Sequence, residues 1–235
     1  MTSAIDPSVT YWRGFYADEH NGQERMRTFG RALASIGAHG HWLDAGCGIG
    51  MLARAFRAAG LRVTAVDISD ARLAEATRVT GLPLVASPDG AAGEHLLCAS
   101  LDDLPYADAR FDGAYSSSVL EYVPDLGRAL SELHRVVRPG GHVVFNLPNA
   151  SSVFRRVYRV VRANSAYSRS VPRWAYTHAQ IARALADAGW DPLWGTYYGA
   201  ERDVPGIPVG FPWRERLCTM RWAAPFVLVA ARRMT

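Results

Sequence analysis

Asp44 stands two residues before the first glycine of Gly46-Cys47-Gly48-Ile49-Gly50, directly after the apolar pair Trp42-Leu43. Glycines at this spacing let the chain turn tightly and let a ligand approach the backbone, and the helix they open supplies free N–H groups. A dinucleotide-binding fingerprint of the form G-x-G-x-x-G requires glycine at position 51, where this chain has Met51. A carboxylate before the turn repels a pyrophosphate but accepts well from the ammonium of an amino acid. Asp67 closes the next apolar run, Val63 to Val66, at a position where a carboxylate can hold both hydroxyls of a ribose.

Regularly punctuated elements must position these groups. His41 to Asp44, Arg62 to Ile68, His95 to Ser100, Phe111 to Ser117 and His142 to Leu147 read as buried strands. Helical patterns separate them: the Ala/Arg stretch to Ala59, Ala71 to Thr80, and Leu126 to Val137. Strands alternating with helices of this length predict parallel βαβ units, with helices on both faces of the sheet. An aromatic leader (Tyr11, Trp12, Phe15, Tyr16) and a helix near Gln23 to Ile36 precede them, and residues 81–93 read as a loop. Beyond Pro148, a helix from His178 to Ala188 is capped by Thr177 with Gln180 and stopped by Gly189; two strands, Trp190 to Tyr198 and Pro225 to Ala231, follow. The expected fold is a single α/β domain, Rossmann-like, with a seven-stranded mostly parallel sheet. Its parts are a helical leader at 1–39, a core at 40–148, a basic amphipathic segment at 149–175, and a C-terminal helix and strands at 176–235.

The chain has 235 residues, 49% of them hydrophobic and 20% charged, the profile of a globular protein with a core of its own. Three cysteines have no metal-ligand spacing, so no metal is expected. No signal peptide and no membrane span are expected either, which makes the cytoplasm the default compartment. Every basic residue is arginine, which excludes lysine chemistry. Residues 1–150 carry a net charge of −4 and residues 151–235 a net charge of +8. Such asymmetry suits an anionic partner for the C-terminal third. Within 151–173, Val153, Phe154, Val157, Val160 and Val161 interleave with Arg155, Arg156, Arg159 and Arg162, a pattern of a helix packed on the sheet or of peripheral membrane contact.

Leu43-Asp44-Ala45-Gly46-Cys47-Gly48-Ile49-Gly50, the strand-ending Asp67, Leu101-Asp102-Asp103-Leu104-Pro105-Tyr106, Val119-Leu120-Glu121-Tyr122-Val123-Pro124-Asp125 and Val137-Arg138-Pro139-Gly140-Gly141 occur in a fixed order. Over roughly residues 40–148 this series resembles the class I S-adenosylmethionine-dependent methyltransferases, especially their quinone-biosynthesis branch. The resemblance implies methyl transfer from S-adenosylmethionine to a small-molecule or lipidic acceptor by in-line displacement, with release of S-adenosylhomocysteine. It implies that Asp44, Gly46, Cys47, Gly48 and Gly50 face the methionine part of the cofactor and that Asp67 binds the ribose. Ile68 and Leu101 would flank the adenine, and Ser116 or Ser117 would border the sulfonium.

Two departures bear on these roles. Ser100 replaces the acidic residue that the family uses for the adenine amino group, which leaves Asp102 or a water to substitute. Tyr122 replaces a histidine, so a general-base role at that position does not transfer; Tyr122, His178 and His20 are the remaining candidates for substrate contact or catalysis. The resemblance implies that the leader at 1–39, with Tyr11 and Tyr16, is a lid and that 149–175 caps the substrate. Cys47 reads as a packing residue and Glu121 as a structural one. A nucleic acid acceptor is disfavoured, because Ser116-Ser117-Ser118 stands where amino-methylating relatives carry an Asn/Asp-Pro-Pro-aromatic motif. A cyclase-type enzyme on the same fold would keep the same cofactor motif. No sequence feature sets an oligomeric state.

Overall fold

The computed structural model describes residues 6–17, 22–89, 93–153, 155–156, 174–198 and 220–234. Its principal elements are α1 (Pro7–Ala17), α2 (Glu24–Ser35), β1 (His41–Ala45), α3 (Met51–Ala58), β2 (Arg62–Asp67), α4 (Asp70–Thr80), β3 (Leu84–Val85) and β4 (Leu96–Cys98). They continue with β5 (Phe111–Ser116), a 3-10 turn (Leu120–Tyr122), α5 (Leu126–Val136), β6 (Val137–Pro148), α6 (His178–Asp187), β7 (Trp190–Tyr198) and β8 (Phe226–Arg233).

All these strands form one sheet in the order β3-β4-β2-β1-β5-β6-β8-β7. Pairings from β3 through β6 are parallel, whereas β8 is antiparallel to both β6 and β7. The count is eight rather than the expected seven. The added strand, β3, has two residues, too few to show alternation; it forms because Leu84 and Val85 fall opposite Leu96 and Leu97. The aromatic leader is the helix α1, opened by Pro7 and by Asp6, whose carboxylate accepts from the Ser8 amide at 2.7 Å.

Alternate residues along the strands feed opposite faces of the sheet. Leu43, Ala114, Val143 and Phe145 pack with Leu130 and Leu133 of α5 and with Leu185 of α6. Trp42, Tyr115 and Val144 pack on the other face with Phe29 of α2 and Phe56 of α3. Fully burying a side chain such as Leu43, Phe111 or Leu133 stabilises the fold by about 1.5–3 kcal/mol each. Ser69 and Asp125 cap α4 and α5, and α6 carries the expected reciprocal Thr177–Gln180 box. No helix among the described residues is long and apolar enough to cross a membrane. From β1 the chain proceeds to β2 on one side and later returns to β5 on the other. The carboxyl ends of β1 and β5 therefore border the crevice where open α/β sheets bind ligands.

Candidate functional site

A cleft of about 370 Å³ occupies that crevice, within the roughly 300–1,000 Å³ range of small-molecule sites. Asp44, Gly46, Cys47, Gly48 and Ile49 line it from β1 and the glycine turn, and Asp67, Ile68 and Arg72 from the β2–α4 side. Residues 99–102 follow β4 into the wall, and Ser117, Ser118, Val119 and Tyr122 do so after β5. Helix α1 adds Ser8, Trp12 and Tyr16.

Asp44 is only 1% exposed, and its Oδ2 is buried without a hydrogen-bond partner. Burial pushes its carboxyl up to about 8; the phenol of Tyr115, opposite it on β5, offsets part of this and Asp67 adds to it. An isolated buried carboxylate is costly. A cation entering the cleft would give Asp44 both its missing hydrogen bond and its counter-charge. The Cys47 thiol is pushed well up, by burial first and then by Asp44 and Asp67, which suits a packing residue rather than a nucleophile.

The glycine turn owes its shape to two close requirements. A Cβ on Gly46 would come within 2.4 Å of both methyl groups of Val119. Gly48 has φ +55°, and a Cβ there would meet no protein atom within 4 Å, so that side of the turn is open to a ligand. Asp67 anchors the turn, its Oδ2 accepting from the Gly48 amide at 2.8 Å and its Oδ1 from the Ser69 amide at 3.0 Å. Oδ2 can take a second donor, whereas Oδ1 also has Arg72 Nη1 at 3.5 Å, a partner that an incoming hydroxyl would share or displace.

Ile68 bares 70% of its surface at the cleft, an apolar side chain offered to a flat partner. On the facing loop the Ser100 hydroxyl donates to Asp102 Oδ1, a bond that is the main cause of the lowered carboxyl value of Asp102. Arg128 steadies this loop by donating from Nε to the Asp102 carbonyl at 2.7 Å. Residues suited to an ammonium, to hydroxyls and to a flat apolar group thus line one cleft.

The structure brings Asp44, Gly46, Cys47, Gly48, Asp67, Ile68, Leu101, Asp102, Ser117 and Tyr122 to the cleft. Ser116 stands outside the lining: it is fully buried and its hydroxyl donates to the Ala45 carbonyl at 2.8 Å. Gly50 also stands outside it, packed so closely on Ala76 and Thr80 that a Cβ would meet them at 3.1 and 2.8 Å. His178 opens α6 and lies against Gly195 and Tyr197, away from the cleft. His20 and residues 157–173 fall outside the described residues.

Ser8, Trp12, Arg72, Ser118 and Val119 line the cleft without having been candidates. The spacing of Trp12 and Tyr16, four apart on a helix, was the available signal for one of them. Helix α1 is tied down by Arg13, which donates from Nε and Nη2 to both oxygens of Glu75 on α4, at 2.8 and 2.7 Å. The Arg25 guanidinium lies 4.5 Å from the Phe15 ring centroid, within cation–π range.

Residues 43–145 match the family described as a methyltransferase domain. The malonyl-[acyl-carrier protein] O-methyltransferase of Pseudescherichia vulneris is 41% identical over 129 residues, covering 52% of this chain and 47% of that protein. The enzyme of the same name from Salmonella typhimurium is 36% identical over 156 residues, covering 64% of this chain and 54% of that protein. This chain therefore spans about half the length of the curated relatives it matches. Among solved structures, magnesium protoporphyrin IX methyltransferase from Synechocystis, with bound SAH, superposes with a TM-score of 0.68 at 16% identity, covering 97% of this chain and 95% of that one. At that identity the likeness is one of fold.

Proposed function

We propose that this chain, whose residues 43–145 match a methyltransferase domain, is a class I S-adenosylmethionine-dependent methyltransferase and transfers a methyl group from S-adenosylmethionine to a small or lipidic acceptor. The observation that carries this reading is Asp44, whose buried, unpartnered Oδ2 fits the ammonium of the cofactor's methionine moiety. Asp67 would take the ribose hydroxyls, Ile68 and Leu101 would flank the adenine, and the Ser100–Asp102 pair would accept from its amino group. When bound, the cofactor supplies a methyl group already activated by its sulfonium. The protein's task is then alignment, which is worth the most when the reacting atoms are held at near-attack distance. Trp12 and Tyr16 of α1 would exclude water, while Ser117 and Tyr122 would face the acceptor.

The proposed acceptor is a carboxylate on a carrier-linked acyl group. Two relatives are named for malonyl-[acyl-carrier protein], and no histidine lines the cleft among the described residues. Burial raises the Tyr16 phenol further from neutrality. A carboxylate is anionic near pH 7 and needs no general base. Val153, Met220 and Trp222 are exposed beside the exposed Arg156 and Arg221, a surface suited to an anionic carrier; an anionic membrane is the other partner that it fits.

The test is calorimetric titration of wild type and Asp67→Ala with S-adenosylmethionine and S-adenosylhomocysteine, followed by transfer of labelled methyl to malonyl-carrier protein, free malonate and a quinol. Micromolar binding that is lost in Asp67→Ala is the expected result. Folded wild type that binds neither nucleoside overturns the reading. Methylation of the quinol alone overturns the acceptor assignment.

A further inference from the structure

Ser118 sits at the cleft wall with φ +55°, in the left-handed region that non-glycine residues rarely adopt. An L-residue persists there only when its surroundings hold it. Asn146, on the neighbouring strand β6, holds it at two atoms. Its Oδ1 accepts from the Ser118 amide at 2.8 Å, and its Nδ2 donates to the Ser118 hydroxyl at 3.1 Å. Both residues are buried, Ser118 at 5% and Asn146 at 0% exposure, so neither bond competes with bulk water.

The consequence of the turn reaches the opposite wall of the cleft. Ser116 and Ala45 are joined by the hydroxyl-to-carbonyl bond at 2.8 Å, which fixes the ends of β5 and β1 side by side. The left-handed step at Ser118 then directs Val119 onto Gly46, against which its two methyl groups are packed too closely for any side chain. Gly46 begins the turn whose Gly48 amide is held by Asp67. A line of contacts thus runs from Asn146 through Ser118 and Val119 to the glycine turn, although Asn146 itself is not part of the lining.

We infer that Asn146 is a positioning residue for the cofactor site: by holding Ser118 left-handed, it seats Val119 against Gly46 and sets the spacing between the glycine turn and the wall formed by Ser117 to Tyr122. This assignment rests on the cofactor reading above and extends it to a residue that touches neither cofactor nor acceptor. A merely structural asparagine would matter for stability alone. A positioning one matters for ligand affinity, and only while residue 118 needs holding.

Glycine adopts φ +55° without strain, so S118G removes that need. The experiment is calorimetric titration of S-adenosylhomocysteine into wild type, N146A, S118G and N146A/S118G, with thermal unfolding of all four. N146A is expected to weaken binding about tenfold in the wild-type background, through the lost hydrogen bonds and the released turn. In the S118G background the same change is expected to cost less than about twofold. Tm falls with N146A in both backgrounds, because the cavity and the unpaired residue 118 amide remain. Equal affinity losses in the two backgrounds, or no loss in either, overturn the inference while leaving the cofactor reading intact. Wild type that binds no S-adenosylhomocysteine overturns the cofactor reading and, with it, the role of Asn146. Should N146A not fold, N146D serves: its carboxyl group can still bond the amide and hydroxyl of Ser118. Affinity within about threefold of wild type is expected of N146D, and a tenfold or greater loss overturns the assignment.

Discussion

Replacing Asp44 with asparagine should free cofactor binding from a proton that the wild type has to release. Burial pushes the Asp44 carboxyl up to about 8, so roughly 90% of unliganded molecules carry it protonated at pH 7. An ammonium docking against Oδ2 selects the ionised form and expels that proton. The ligand's own α-amino group is that of a free amino acid, more basic than a peptide terminus, and is already charged at pH 7, so it takes up almost no proton. Net release at pH 7 is then roughly 0.9 proton per S-adenosylhomocysteine bound. Titration in phosphate and in Tris, whose ionisation enthalpies differ, reads this number from the difference in apparent binding enthalpy. Asp44→Asn should abolish the release and weaken binding about 10- to 100-fold, the equivalent of one charge-assisted hydrogen bond of about 1.5–3 kcal/mol.

Stability should follow the same group. The folded value lies above the unfolded value of about 3.9, so the contribution of Asp44 is fully present below about pH 4 and is lost as pH rises through about 8. Across that window unliganded wild type should lose up to about 1.4 kcal/mol per pH unit relative to Asp44→Asn. Equal apparent enthalpies in the two buffers, or parallel pH–stability curves for the two proteins, would refute the reasoning, since both require Asp44 to be ionised before ligand arrives.

Four further outcomes are expected. Gly48→Ala forces an L-residue to φ +55° and projects a methyl into the cleft; it should cost about 1 kcal/mol in thermal unfolding and weaken S-adenosylhomocysteine at least about tenfold by calorimetry. Asp102→Ala should weaken S-adenosylhomocysteine about tenfold yet leave S-inosylhomocysteine, which lacks the adenine amino group, nearly unchanged; equal losses for both ligands would remove Asp102 from base recognition. Arg13→Ala breaks the tie between α1 and α4 and should speed stopped-flow release of S-adenosylhomocysteine about threefold and lower Tm, because it takes a partner from the buried Glu75 carboxylate and leaves it Arg78. Leu133→Ala, at a fully buried position of α5 remote from the cleft, should lower unfolding free energy by about 2–5 kcal/mol while leaving cofactor affinity unchanged.

Much of this protein is legible in one dimension because its strongest signals are local. Trp42-Leu43, Val63 to Val66 and Val143 to Leu147 announce strands by apolar content, and Thr177 with Gln180 announces a helix start by capping chemistry. The two-residue strand β3 is invisible for the converse reason: nothing in Leu84-Val85 differs from a loop until Leu96 and Leu97 lie beside it. Asp44 and Asp67 were identifiable because each lies at the end of a strand and borders a turn, so residue type and neighbours fixed their position at the sheet's carboxyl edge. Ser116 and Ser117 show the limit of that argument, since one residue of offset puts one serine into a strand-to-strand bond and the other into the cleft lining.

The order of strands and helices, the glycine turn and the two carboxylates follow from the amino-acid sequence itself, since each depends on residues within a few positions of one another. The tertiary structure alone decided that α1 lays Trp12 and Tyr16 on the cleft, that Arg13 meets Glu75 across 62 positions, and that Asn146 holds Ser118 across 28. It also decided the protonation of Asp44, because the desolvation that raises a carboxyl depends on what closes over it. Contacts between residues distant in the chain are set by how the sheet and helices pack, and no local pattern encodes them.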